Sequence, residues 1–208
     1  AVRAHCSELL GLTRHASPEE YWDARGRLDP AELARVFLRA AGVSDWLVDT
    51  GLDGETADLS GMKQVATGRV AEIVRLEQVA EQAAAATGDY AERFIEILHT
   101  RAESAGATKT VLAYRGGFDG ALGEPSPVDV RASAARWRDA GGTRLPDRVL
   151  LRFGIPQALR LGKPLQFHTG FGDRDCDLQR TNPILLLDFL RSSGDCPIVL
   201  LHCYPYER

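Results

Sequence analysis

Two short apolar runs, Pro164–Phe167 and Pro197–Leu201, each run into a histidine, His168 and His202, and this repetition constrains the fold more than any other feature. Between them lies Asn182–Arg191, entered through Asn-Pro and left through Ser-Ser-Gly, the punctuation of a helix. Apolar strand, polar loop, helix and apolar strand make one βαβ unit of a buried parallel sheet. The histidines stand 34 residues apart, about one strand–helix repeat of a (β/α)8 barrel of roughly 250 residues. Both are thereby placed at the C-terminal rim of neighbouring strands, where such barrels keep their chemistry.

The rest of the chain repeats the alternation. Ser7–Leu12 reads as a helix end closed near Gly11, Ser17-Pro-Glu-Glu as a capped start running to Arg25–Gly26, and Asp29-Pro-Ala-Glu as another running to Gly42. Strands are predicted over 46–50 (WLVDT), 70–76 and 109–114 (KTVLAY), besides the two that carry the histidines. Helices are predicted over Gln78–Thr87, Asp89–Ala105, Pro127–Ala140 and Pro146–Leu161, with Pro156 kinking or interrupting the last. Asp53–Thr67 reads as a polar covering loop, and Gly116–Ser126 as an active-site loop. Five parallel strands in sequential order follow. The fold class is α/β, part of a (β/α)8 TIM barrel. Residues 1–208 are read as part of a single domain, preceded by a helical insertion over 1–42.

Composition excludes several classes. With 44% hydrophobic and 26% charged residues the chain can build a real core, and its net charge of −4 offers no basic face to nucleic acid. No apolar run approaches the ~20 residues that cross a bilayer, and Ala1–Leu10 has no signal-peptide pattern. Cys6, Cys176, Cys196 and Cys203 form no CxxC pair, so they read as reduced thiols in a cytoplasm rather than as staples or a zinc site.

Polar residues collect at the predicted strand ends: Asp49, Arg75 with Glu77, Tyr114 with Arg115, His168 and His202. A barrel interior is packed with side chains, so its rim is where polar groups are tolerated. The six charged and imidazole side chains, Asp49, Arg75, Glu77, Arg115, His168 and His202, are expected on one face. Each has a plainer reading: Asp49 as a turn cap, Arg75 with Glu77 as an ion pair, either histidine as a hydrogen-bonded structural residue. Two histidines on successive strands favour a ligand or acid–base role. His5, His15 and His99 fall on helices or helix entries and carry no such expectation.

The segments LVDTGL (Leu47–Leu52), AYRGG (Ala113–Gly117), QFHTGFGD (Gln166–Asp173) and LLHCYPY (Leu200–Tyr206) together resemble the amidohydrolase superfamily, most closely its amidohydrolase-related group of TIM-barrel metal-dependent hydrolases. Some members of that group are fused to a glutamine-synthetase-like domain. The resemblance runs from about Ser17 onward, and its two histidine motifs are the specific part. It implies that His168 is the strand-5 metal ligand. His202, on strand 6, is then either a second ligand or the group that polarises the substrate carbonyl. It implies one divalent ion, zinc in the first instance, and a small-molecule substrate whose carboxylate or oxyanion meets Arg75, Tyr114 and Arg115. Two features depart from the pattern. Tyr114 and Arg115 stand where several members carry a bridging lysine, and no His-x-His strand or terminal aspartate is present. The chain is therefore expected to be the middle of a longer polypeptide holding at most half of a metal site.

The activity so implied is attack of a metal-activated water on a C–N bond, an amide or a relative. The alternatives are a decarboxylase using the same site, a barrel that only binds or assembles, or a sheet whose histidines are structural. No nucleic acid or membrane partner is expected, and a homo-oligomer is left open.

Overall fold

Five strands follow one another across the sheet in chain order: β1 (Asp45–Asp49), β2 (Arg69–Arg75), β3 (Ala107–Thr110), β4 (Leu165–His168) and β5 (Ile198–Leu201). The structure is a computed structural model and describes residues 2–51, 58–118, 120, 122–172 and 176–206. The sheet is parallel and curled, a half-barrel compatible with an incomplete TIM-like barrel. Helices α1 (Val2–Cys6), α2 (Pro18–Gly26), α3 (Pro30–Ala40) and α4 (Leu59–Val65) precede β2. Helices α5 (Leu76–Ala85) and α6 (Tyr90–Ala102) join β2 to β3, and α7 (Pro127–Ala140) and α8 (Arg148–Arg160) join β3 to β4. Between β4 and β5, a 3-10 turn over Pro183–Leu186 leads into α9 (Leu187–Ser192). Among the described residues no helix is long and apolar enough to cross a membrane.

The chain divides into two compact units, Ala1–Val48 with Asp53–Ala71, and Asp49–Leu52 with Glu72–Arg208. In the first, the capping residues act as their sequence suggests. Ser17 Oγ accepts from Glu20 N at 3.1 Å while the Glu20 carboxylate accepts from Ser17 N at 2.9 Å, a reciprocal box that satisfies two helix-start donors. Asp29 caps α3 through Ala31 N and Glu32 N. The expected covering loop over Asp53–Thr67 is in part a helix, because Asp58 caps Gly61 N and starts α4; positions 53–57 lie outside the described residues. Gly68, at φ 96°, lies where a Cβ would come within 2.1 Å of the Ser44 carbonyl, so only glycine lets the two backbones approach.

In the second unit, period-2 alternation sorts the strands into two faces. Val74, Leu165 and Phe167, with Ile198 and Leu200 beside them, face the helices and join Leu76, Val79, Phe94, Leu98, Leu150 and Ile155 in one core. The centre of its helical layer is aromatic: Phe94 and Phe153 meet edge to face at 5.3 Å. Gly154 permits this approach, since a Cβ there would stand 3.0 Å from Phe94 Cζ. Helix α8 runs on through Pro156, so the expected interruption does not occur.

Two sequence expectations are corrected here. The third strand covers Ala107–Thr110 rather than 109–114, because Leu112–Arg115 turns into a 3-10 helix. Glu77 is not a rim residue. Helix α5 begins directly after β2, so residue 77 follows helical geometry and its side chain is 1% exposed beneath the sheet. Its Oε1 accepts from Thr110 Oγ1 at 2.6 Å and Val111 N at 3.0 Å.

Burial pushes the Glu77 carboxyl upward, against the Thr110 and backbone hydrogen bonds and the Arg115 charge. A carboxyl whose folded pKa is raised contributes stability that is present below its unfolded value and lost as pH rises through the folded one. Glu77→Gln keeps the Oε1 acceptor and removes the charge. The variant is expected to gain on the wild type between pH 4 and pH 8 in parallel urea titrations. A gap that stays constant over that range removes the buried-charge account.

Candidate functional site

The inner face of the sheet presents what the core does not take. Strand register sets Arg75 opposite Lys109, Lys109 opposite Gln166, Gln166 opposite Val199, and His168 opposite Leu201. Asp49 ends β1 and joins this row. Its Oδ2 accepts from Arg75 at 2.6 Å and from Lys109 Nζ at 2.7 Å, while Oδ1 accepts from Gly51 N at 2.9 Å. The three side chains are only 11–13% exposed. Burial raises the Asp49 carboxyl, but the hydrogen bonds from Arg75, Lys109 and Gly51 and the Arg75 charge together hold it below the usual carboxylate range. Gly51 makes room for the pair: a Cβ there would stand 2.7 Å from Arg75 Nε.

Beside this cluster stand the two imidazoles. The rings of His168 and His202 are 4.9 Å apart and tilted by 49°. His168 Nδ1 lies 3.2 Å from Tyr114 Oη, and its Nε2 is buried with no hydrogen-bonding partner among the described residues. Burial first, then the charges of Lys109, His202 and Arg75, push His168 down to about 4 against the opposing pull of Asp49. The ring is therefore neutral over the ordinary pH range, the form that binds a metal.

Thr169 holds the two strand ends in register. Fully buried, its hydroxyl donates to the Leu201 carbonyl at 2.8 Å and accepts from Cys203 N at 3.1 Å. Past β5 the backbone turns left-handed at His202 (φ 73°) and Cys203 (φ 54°), a conformation uncommon outside glycine.

Arg75, His168 and His202 thus come together, with Asp49, in the second unit. Tyr114 joins them from the 3-10 turn after β3, donating to the Phe171 carbonyl at 2.6 Å. Arg115 is engaged elsewhere, with Glu81 at 2.6 Å and the Leu145 carbonyl at 3.2 Å, so what it meets is helix α5 and the loop before α8. The glycine-rich segment after Arg115 is fastened to α8, where Glu124 pairs with Arg160 and Gln157 and the Gly123 carbonyl accepts from Arg152. Asp173, the last residue of QFHTGFGD, lies outside the described residues, as does Leu52 of LVDTGL. Sequence reasoning missed Lys109 and Thr169. Thr169 was legible as the hydroxyl directly after the strand-end histidine, whereas Lys109 gave no such local signal.

A divalent ion fits this corner in part. A buried Nε2 lacking a partner is the donor zinc and similar ions take, and His202 stands beside it. Among the described residues no set of three or more His, Cys, Asp or Glu side chains converges, so the two imidazoles make half of a four-coordinate set.

No family model matches the chain. A crystal structure from Lactobacillus casei ATCC 334, of a protein carrying the provisional name metal-dependent hydrolase, superposes with a TM-score of 0.74 and 28% identity over 85% of this chain and 50% of that one. The protein fluG of Emericella nidulans is 33% identical over 119 residues, taking in 48% of this chain and 13% of fluG. The chain thus spans half of the first relative's length and a small part of the second's. It has a metal-dependent-hydrolase-like fold.

Proposed function

We propose that the protein is a metal-dependent hydrolase of the amidohydrolase type, cleaving a C–N bond of a small molecule that carries a carboxylate. The observation that supports this most is the buried, partnerless Nε2 of His168, with the His202 ring 4.9 Å away. The likeness to the Lactobacillus casei protein supports the hydrolase class.

His168 would hold the ion through Nε2, and His202 would either share the ion or hydrogen-bond the substrate carbonyl. A divalent ion held there supplies Lewis-acid polarisation of the scissile carbonyl and acidification of water. Arg75 and Lys109 bring two positive charges against the single negative charge of Asp49, which leaves an excess that attracts a substrate carboxylate. Of the three groups expected to hold substrate, we assign that role to Arg75, because it lies in the row of the sheet that leads to His168. Arg115 instead meets Glu81 on α5, and Tyr114 meets Phe171 and His168.

The test is elemental analysis of zinc-loaded wild type and His168→Ala after desalting. The wild type is expected to retain about one ion per chain and the variant to lose it, with circular dichroism unchanged. Equal metal content in the two would remove His168 from the site.

A further inference from the structure

Tyr114 has one phenol proton, and its neighbours include main-chain carbonyl oxygens and an imidazole nitrogen, groups of unlike kind. The Phe171 carbonyl at 2.6 Å can only accept, so the phenol proton is committed to it. The Thr169 carbonyl, at 3.4 Å, is likewise an acceptor and supplies no proton. What faces His168 is therefore an oxygen lone pair, and at 3.2 Å the ring nitrogen opposite it must be the donor. We infer that Tyr114 is a positioning residue that fixes His168 as the Nδ1–H tautomer and so leaves the Nε2 lone pair open toward the site. This rests on the hydrolase reading only for the use to which Nε2 is put; the tautomer follows from the hydrogen bonds alone.

The surroundings hold the phenol to this task. Its ring packs edge-on against His168 with centroids 5.1 Å apart. On the other side it lies on the backbone of Gly172, where a Cβ would stand 2.5 Å from Tyr114 Cε1. Gly170, at φ 70°, is bound to both neighbouring segments: its N–H donates to the Thr181 carbonyl, and a Cβ would stand 2.0 Å from the Tyr204 carbonyl oxygen. The loop that offers the Phe171 carbonyl is thus fixed at its start, and Phe171 N itself donates to the Tyr204 carbonyl at 3.0 Å. An imidazole that binds a metal through one nitrogen ordinarily donates its other N–H to a fixed acceptor, which sets the tautomer and aims the ring. Here a phenol does this, itself aimed by a main-chain carbonyl.

The experiment is two-bond proton–nitrogen NMR of the histidine rings in metal-free protein, with His168 assigned by its disappearance in His168→Ala. Wild-type His168 is expected to show a protonated, pyrrole-type Nδ1 and a pyridine-type Nε2 at pH 7.5. In Tyr114→Phe the signals are expected to move toward the opposite tautomer, and zinc affinity to fall about 10–100-fold. A pyridine-type Nδ1 in the wild type overturns the inference, and that reading does not depend on how Tyr114→Phe folds. So does a tautomer unchanged in a folded Tyr114→Phe protein. If zinc binds equally well to wild type and His168→Ala, the metal reading falls, and the ring nitrogens still decide the role of Tyr114.

Discussion

Asp49→Ala is expected to lower stability by about 3–5 kcal/mol, because it leaves two buried cations without the anion that holds them together. Arg75 and Lys109 both donate to the same oxygen, Oδ2, and both are almost withdrawn from water. Without the carboxylate they face each other across the strand register that sets them opposite. For a chain of this length such a loss corresponds to a fall in Tm of about 6–20 °C. Urea unfolding followed by circular dichroism checks it. Asp49→Asn keeps the shape and an acceptor oxygen, and is expected to lose less. Its gap from the wild type has a defined pH course, since the folded carboxyl lies below its unfolded value of ~3.9. Its contribution is present above that value and is lost as pH falls through the folded one, so the gap should narrow below about pH 4. A loss under 1 kcal/mol for Asp49→Ala would show that the two cations reach water by themselves, and the cluster would then not be a buried one.

The second large effect separates neighbours in the chain. Phe167 is 0% exposed, with its ring 5.2 Å from Phe189 and 6.2 Å from Phe118. Phe167→Ala is expected to cost about 3–5 kcal/mol through lost burial and the cavity left behind. His168, one residue on and on the opposite face, gives up a single hydrogen bond on replacement, worth about 0.5–1.5 kcal/mol. Denaturant midpoints of the two alanine variants, with equal slopes, check the contrast. If His168→Ala is as damaging as Phe167→Ala, the imidazole is part of the core and its place in a site is lost.

The strands and the histidines were legible because their signals are local. Each run of apolar residues, its punctuation and its terminal polar residue lie within ten positions, and Asp49, Arg75 and His168 could be placed at strand ends on that ground. What was not legible depends on partners far away in the chain. Lys109 opens KTVLAY and looks like the solvated entrance of a strand; Asp49, 60 residues earlier, makes it a buried rim residue. Arg115 follows Tyr114 directly and looks equally fit to hold a substrate. Its engagement with Glu81, set by where α5 passes, is visible only in three dimensions. Glu77 failed for a simpler reason, since β2 hands over to α5 without a loop and the two-residue period stops at Arg75.

The left-handed turn at His202 and Cys203 places stability and chemistry in opposition. Two residues with side chains stand there in a conformation that costs about 1–3 kcal/mol each, and the Thr169 hydroxyl and the Cys203 amide keep them in it. Glycine at either position would relieve the backbone. At 202 it would delete the imidazole, and at 203 it would free the hinge that turns His202 over His168. Selection for a sturdier chain and selection for a fixed pair of histidines would therefore choose different residues at this corner.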